Sequence, residues 1–168
     1  YLMKIIPSEF SNSAWDSFVF SKEIASSNFQ QNVDSENLLL ALIKKNNLAI
    51  KILRRNDINI TEIETKLISL LNAKAKMKDK QEILYIGETL QKIFLRSNDL
   101  RISLNDVVIS TEHLLCSLSY DEVCGNLILN KKEIPEFLEF INKMKSDPTI
   151  KNNNFENSNE SLDKFGIE

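Results

Sequence analysis

The sequence predicts an all-α protein of eight helices, arranged as two four-helix repeats related by a pseudo-two-fold axis. Three observations carry that expectation. Small and apolar residues recur at three- and four-residue spacing nearly throughout, as in Ala14, Phe18, Ser21 and Ala25, and few runs alternate with the period of two that a half-buried strand needs. Only three glycines and three prolines interrupt the 168 residues. Most telling, VDSENLLLAL at 33–42 returns as ISTEHLLCSL at 109–118, an offset of 76 positions, with Glu36/Glu112, Leu38/Leu114, Leu39/Leu115 and Leu42/Leu118 matching outright. The same offset aligns Phe10 with Ile86, Phe18 with Phe94, Ser21 with Ser97, Ile52 with Ile128 and Leu53 with Leu129. A repeat of this length is a supersecondary unit that buries its apolar face against its copy.

Taken in order, residues 1–10 form an amino-terminal extension. The first repeat (11–72) carries helices over 11–31, 35–45, 48–55 and 61–71. Thr61 and Glu64 have the spacing of a capping box, in which hydroxyl and carboxylate satisfy amides at the helix start. Residues 73–86 link the repeats. The second repeat (87–145) carries helices over 87–104, 111–119, 122–129 and 135–144. Asp34 and Ser110 are N-cap candidates for the two motif helices. Asn105 suits the left-handed conformation that ends a helix, and Pro135 suits a first turn. Residues 146–160, rich in Asn and poor in apolar side chains, read as a flexible linker. Apolar character returns at 161–168, as at the start of a further module.

A chain this long buries roughly 70% of its unfolded surface and suffices for one core. No apolar run approaches the ~20 residues of a membrane span, and no signal sequence opens the chain. Cys116 and Cys124 read as buried thiols of a cytoplasmic protein. With 21 basic and 24 acidic residues the net charge is −3, which gives no global field for nucleic acid. The only basic cluster read from the sequence, Lys74, Lys76, Lys78 and Lys80, is diluted by Asp79 and Glu82 and reads as a solvated linker.

Catalytic chemistry finds little support. His113 is the single histidine, with no cysteine or second histidine at metal-ligand spacing, and Gly87, Gly125 and Gly166 lie too far apart for a phosphate loop. Neither an enzyme site nor a metal site is expected. Glu36 and Glu112 each open a motif helix, where a carboxylate either stabilises the helix dipole or recognises a cationic side chain of a partner. Asp106 either extends such a site or serves the Asn105-Asp106 turn. Trp15 aligns with polar Gln91, which places it outside the shared core, as a surface aromatic open to a partner or a local packing residue.

The doubled motif, with Ser11 to Ser17 around Trp15 and Asn105-Asp106 ahead of Ile109-Ser110, resembles the Clp N-terminal repeat domain found at the amino end of the AAA+ unfoldases ClpB and ClpC. Ala14-Trp15-Asp16 and Gly87-Glu88-Thr89-Leu90 look more like the ClpB type, the disaggregating chaperones. The resemblance implies a domain that binds unfolded or aggregated clients, or an adaptor protein, and passes them to an ATPase ring. It implies no cofactor in this segment, with ATP and Mg held by ATPase modules further along. It also implies a monomeric domain within a hexameric parent, with neither nucleic acid nor membrane as partner. Carried over by position, the ClpB-type polar residues fall on Ser11, Asp106 and Glu112. The ClpC type recognises phosphoarginine with a Thr and a Glu in each repeat. Here Ser11 pairs with Glu36, whereas Gly87 pairs with Glu112 and lacks the hydroxyl. Asn37 stands where the family usually has His, and Asn105 where it usually has Gly.

Overall fold

The computed structural model describes residues 5–129 and 133–145. A 3-10 turn (Pro7–Glu9) leads into α1 (Asn12–Ser27), a two-residue strand β1 (Asn32–Val33), α2 (Ser35–Lys45), α3 (Asn47–Arg55) and α4 (Ile60–Asn72). Strand β2 (Tyr85–Ile86) opens the second half, followed by α5 (Glu88–Ser103), α6 (Thr111–Leu118), α7 (Glu122–Leu129) and α8 (Ile134–Lys145). The eight expected helices are present among the described residues. The expected segments at 146–160 and 161–168 lie outside them.

The motif helices form the centre. Every residue of α6 is buried, as is α2 from Ser35 to Ile43. A helix enclosed on all sides needs no polar stripe, which is why LLLALI and LLCSL read as almost unbroken apolar runs. Helices α1 and α5 cross them at small residues. Ser21 and Ser97, equivalent by the repeat, are fully buried and donate their hydroxyls to the carbonyls of Phe18 at 2.6 Å and Ile93 at 2.7 Å. Four aromatic rings close the space between the repeats: Phe10 and Phe94 at 5.5 Å, Phe18 and Phe94 at 5.2 Å, with Trp15 at 5.6 Å from Phe10 and 5.3 Å from Phe18.

The two-fold character is visible in the backbone. Val33 pairs in parallel with Ile86, and Phe10 bridges in parallel to Ile109. Adding the repeat offset to one pair yields the other with the partners exchanged. The amide of Gly87 donates to Val33 at 2.8 Å, and the equivalent amide of Ser11 donates to Ile109 at 2.9 Å. These short extended pieces were not anticipated from the sequence, since two residues are too few to establish a period.

Local signals held in most places. Asp34 and Ser110 cap α2 and α6, each within a reciprocal box closed by the residue three positions on, Asn37 or His113. Asn105 is left-handed at φ 58°, and Phe29, its equivalent, adopts the same φ after α1. Phe29 therefore ends α1 at Ser27, four residues short of the expected limit, although a bulky side chain costs roughly 1 kcal/mol there. The Thr61 capping box is corrected. Asn59 caps α4 by accepting from the Glu62 amide at 3.1 Å, which places Thr61 inside the helix.

Gly87 answers why the second repeat lacks the Ser11 hydroxyl. A Cβ at this position would collide with Oδ1 of Asp34 and sit 3.1 Å from the Val33 carbonyl. Asp34 occupies the space that a side chain at position 87 would need. Gly87→Ala is expected to displace the Asp34 cap and cost about 1 kcal/mol in urea unfolding. Asp34→Ser in the same chain should recover most of that loss, and a loss that persists would overturn this account.

Candidate functional site

The shared pattern of the repeat concentrates chemistry at the amino ends of α2 and α6. Burial removes water from these ends, so the free amides must find partners within the protein. In the second repeat the Ser110 amide donates to Nδ1 of His113 at 2.8 Å, and Nε2 of His113 lies 2.8 Å from Oδ2 of Asp106. An acceptor at Nδ1 fixes the neutral ring with its proton on Nε2, directed at the Asp106 carboxylate. In the first repeat the Asp34 amide donates to Oδ1 of Asn37 at 2.9 Å. Gln30 then braces Asn37 through two hydrogen bonds: its Nε2 donates to Asn37 Oδ1 at 3.0 Å, and Asn37 Nδ2 donates to Gln30 Oε1 at 3.1 Å. Gln30 and Asp106 are equivalent by the repeat offset, as are Asn37 and His113. One repeat thus uses an amide pair where the other uses an imidazole and a carboxylate.

Asp106, Glu112 and His113 bring potential ligand atoms within 4.8 Å of one another. The histidine cannot serve a metal as it stands. Its Nδ1 lone pair is engaged by the Ser110 amide and its Nε2 carries the proton, so neither nitrogen offers a free pair. The ring braces a helix end.

The two glutamates have different surroundings. Glu112 is 4% exposed and lines an apolar cavity of about 100 Å³ between α5, α6 and α8, with Leu100, Leu104, Cys116, Leu138 and Ile141. Glu36 is 8% exposed, and Nζ of Lys74 lies 3.5 Å from its carboxylate and 3.2 Å from that of Asp34. Burial pulls the Lys74 pKa down, but the Glu36 and Asp34 charges outweigh it and raise the value above the ordinary lysine range. The chain's own linker supplies a cation to the first carboxylate site.

Ser11 is 1% exposed and accepts from the Ala14 amide at 3.2 Å, so its hydroxyl caps α1. Trp15 is half-buried among Phe10 and Phe18, the packing alternative of its two readings. Asp106 keeps 26% of its side chain exposed. The structure therefore gathers Asp106, Glu112 and His113 at one corner and places Glu36 at the equivalent corner of the other repeat. Sequence reasoning missed Gln30, which the repeat offset from Asp106 would have revealed. It also missed the cations in and just before α3: Lys44, Lys45, Lys51, Arg54 and Arg55 form a second basic cluster, correcting the reading that the linker holds the only one.

Comparison with known proteins accords with this architecture. Residues 9–132 match the Clp repeat (R) N-terminal domain, and the chain belongs to that family. It is 34% identical over 166 residues to the chaperone protein ClpB of Prochlorococcus marinus, covering 98% of this chain and 19% of that protein. ClpB 1 of Parasynechococcus marenigrum is 29% identical, with 94% of this chain and 19% of that protein covered. The chain thus spans about a fifth of the length of these relatives. In fold it is similar to the Hsp104 N-terminal domain from Candida albicans, with TM-score 0.71, 13% identity and coverage of 82% and 92% of the two chains. The N-terminal domain of the ClpV1 ATPase from E. coli EAEC gives TM-score 0.72 at 13% identity, covering 90% and 91%. The matched domain is not a catalytic one, and no helix among the described residues is long and apolar enough to cross a membrane.

Two outcomes test the site. His113→Ala should cost about 1 kcal/mol by orphaning the Ser110 amide, whereas His113→Asn with Asp106→Gln, which copies the first repeat, should unfold near the wild-type urea midpoint. Equal losses in both would remove the capping role. Both cysteines are free and buried, and burial, with the Asp121 and Glu36 charges adding to it, pushes the Cys124 thiol well above its usual range. Both thiols should resist Ellman's reagent at pH 8 in the native protein and react fully once it is unfolded.

Proposed function

We propose that this domain captures unfolded or aggregated polypeptides for a ClpB-type disaggregase, a hexameric AAA+ ATPase whose ATP and Mg sites lie in other modules. The observation that carries the reading is the apolar cavity between α5, α6 and α8. Leu104, which lines the cavity, is itself 43% exposed. An apolar recess with half-exposed Leu104 in its wall favours a client segment that offers an apolar side chain. A shallow recess of about 100 Å³ accepts one or two side chains, which suits weak, reversible capture.

The alternative is a ClpC-type domain that docks adaptors or phosphoarginine-marked clients for a protease. Three features weigh against a two-site phosphoarginine reader: the Ser11 hydroxyl already caps α1, Gly87 has no hydroxyl, and Lys74 sits on Glu36.

An amide-shift titration with a reduced, carboxymethylated model client tests the proposal. Shifts are expected at Leu100, Leu104, Cys116 and Leu138, with none on adding free phosphoarginine. Leu104→Asp should weaken client binding about tenfold, with circular dichroism reporting that the fold is kept. Absence of client shifts would overturn the proposal, and phosphoarginine shifts at Ser11 and Glu36 would favour the protease adaptor.

A further inference from the structure

Between Glu36 and Asp57 the chain carries five cations and no carboxylate. Asparagines and apolar residues separate the cations in the sequence, and the turn into α3 gathers them. Lys45, Lys51, Arg54 and Arg55 border two cavities of about 530 Å³ each, which share Asn47 and Lys51 in their linings. The first lies against α1, between Ser13, Asp16, Phe20 and Lys45; the second continues along α3 past Ile50 to Arg54 and Arg55. Lys44 is held by Glu64 at 3.0 Å, and Nζ of Lys45 rests 4.1 Å from the Phe20 ring centroid. Lys51 and Arg54 have no ion pair among the described residues. A protein of net charge −3 therefore gathers Lys45, Lys51, Arg54 and Arg55 along one groove, with Asp16 the single carboxylate in its lining.

We infer that this groove docks an acidic peptide segment, whose carboxylates meet Lys45, Lys51 and Arg54. Three arguments select that partner. The nine residues of α3 span about 13 Å, the reach of roughly four residues of extended chain, so the footprint fits a short peptide. A nucleic acid would run beyond the groove onto a surface that is more acidic still once these cations are set aside, and the nearest ring, Phe20, is already covered by Lys45. The guanidinium of Arg54 offers a carboxylate two parallel hydrogen bonds, while the exposed side chain of Asn47, between the cavities, can bond to a peptide backbone. The groove shares no lining residue with the apolar cavity of the second repeat, so the inference stands independently of the proposed client site.

Titration of the isotope-labelled domain with acetylated hexaglutamate tests it. Amide shifts are expected within residues 13–20 and 45–55, fading as salt rises, and at least tenfold weaker in Lys51→Glu/Arg54→Glu. Lys51→Gln/Arg54→Gln provides the same test should the reversed charges perturb folding, which circular dichroism would report. Equal shifts across the linker lysines at 74–80 would mark nonspecific attraction and overturn the inference. So would undiminished binding by the charge variants, or tighter binding of a uridine hexanucleotide to the same residues.

Discussion

Enclosing a short helix on every side deprives its first amides of water, and this constraint organises both halves of the molecule. The apolar runs of α2 and α6 place them at the centre, so their amino ends must be satisfied by side chains rather than solvent. Each end therefore carries an N-cap, a reciprocating side chain three residues on, and a brace seven residues before that. The brace is held in turn by the left-handed residue beside it, Phe29 or Asn105, which turns the chain at the end of α1 or α5. Helix end, turn and cap form one unit in each repeat.

Within that shared unit the copies have diverged in charge. The first repeat closes its box with neutral amides and answers its acidic N-cap and Glu36 with Lys74 from the linker. The second uses histidine and aspartate and directs Glu112 into an apolar recess. Equivalent glutamates thus occupy one site that pairs with a linker lysine and another that lines an apolar cavity. The difference follows from few substitutions because the backbone positions are the same.

The sequence made the helices legible because their periodicity is long, and the motif helices because they are doubled. Several local features were also readable: Asn105, Asp34, Ser110 and Pro135 each occupy the place their chemistry favours. Thr61 misled because Asn59, two residues earlier, is also a good cap, and only tertiary position decides between them. The Ser11 hydroxyl could be read as a binding group or a cap, and burial identifies the cap. The cations around α3 escaped notice because they form no run; spacings of six and three residues become adjacency only when the helix is wound and set against α1.

The exchanged backbone bridges have a consequence for ancestry and assembly. Each repeat lends one extended residue near its start to the other and receives the same in return, which is the self-complementary geometry of an isologous homodimer. The linker holds the two halves at high effective concentration. In assembly terms, the domain is a covalently tethered dimer. The two halves need not be identical mates: Gly87 of one meets Asp34 of the other, where Ser11 and Ser110 hold the equivalent places.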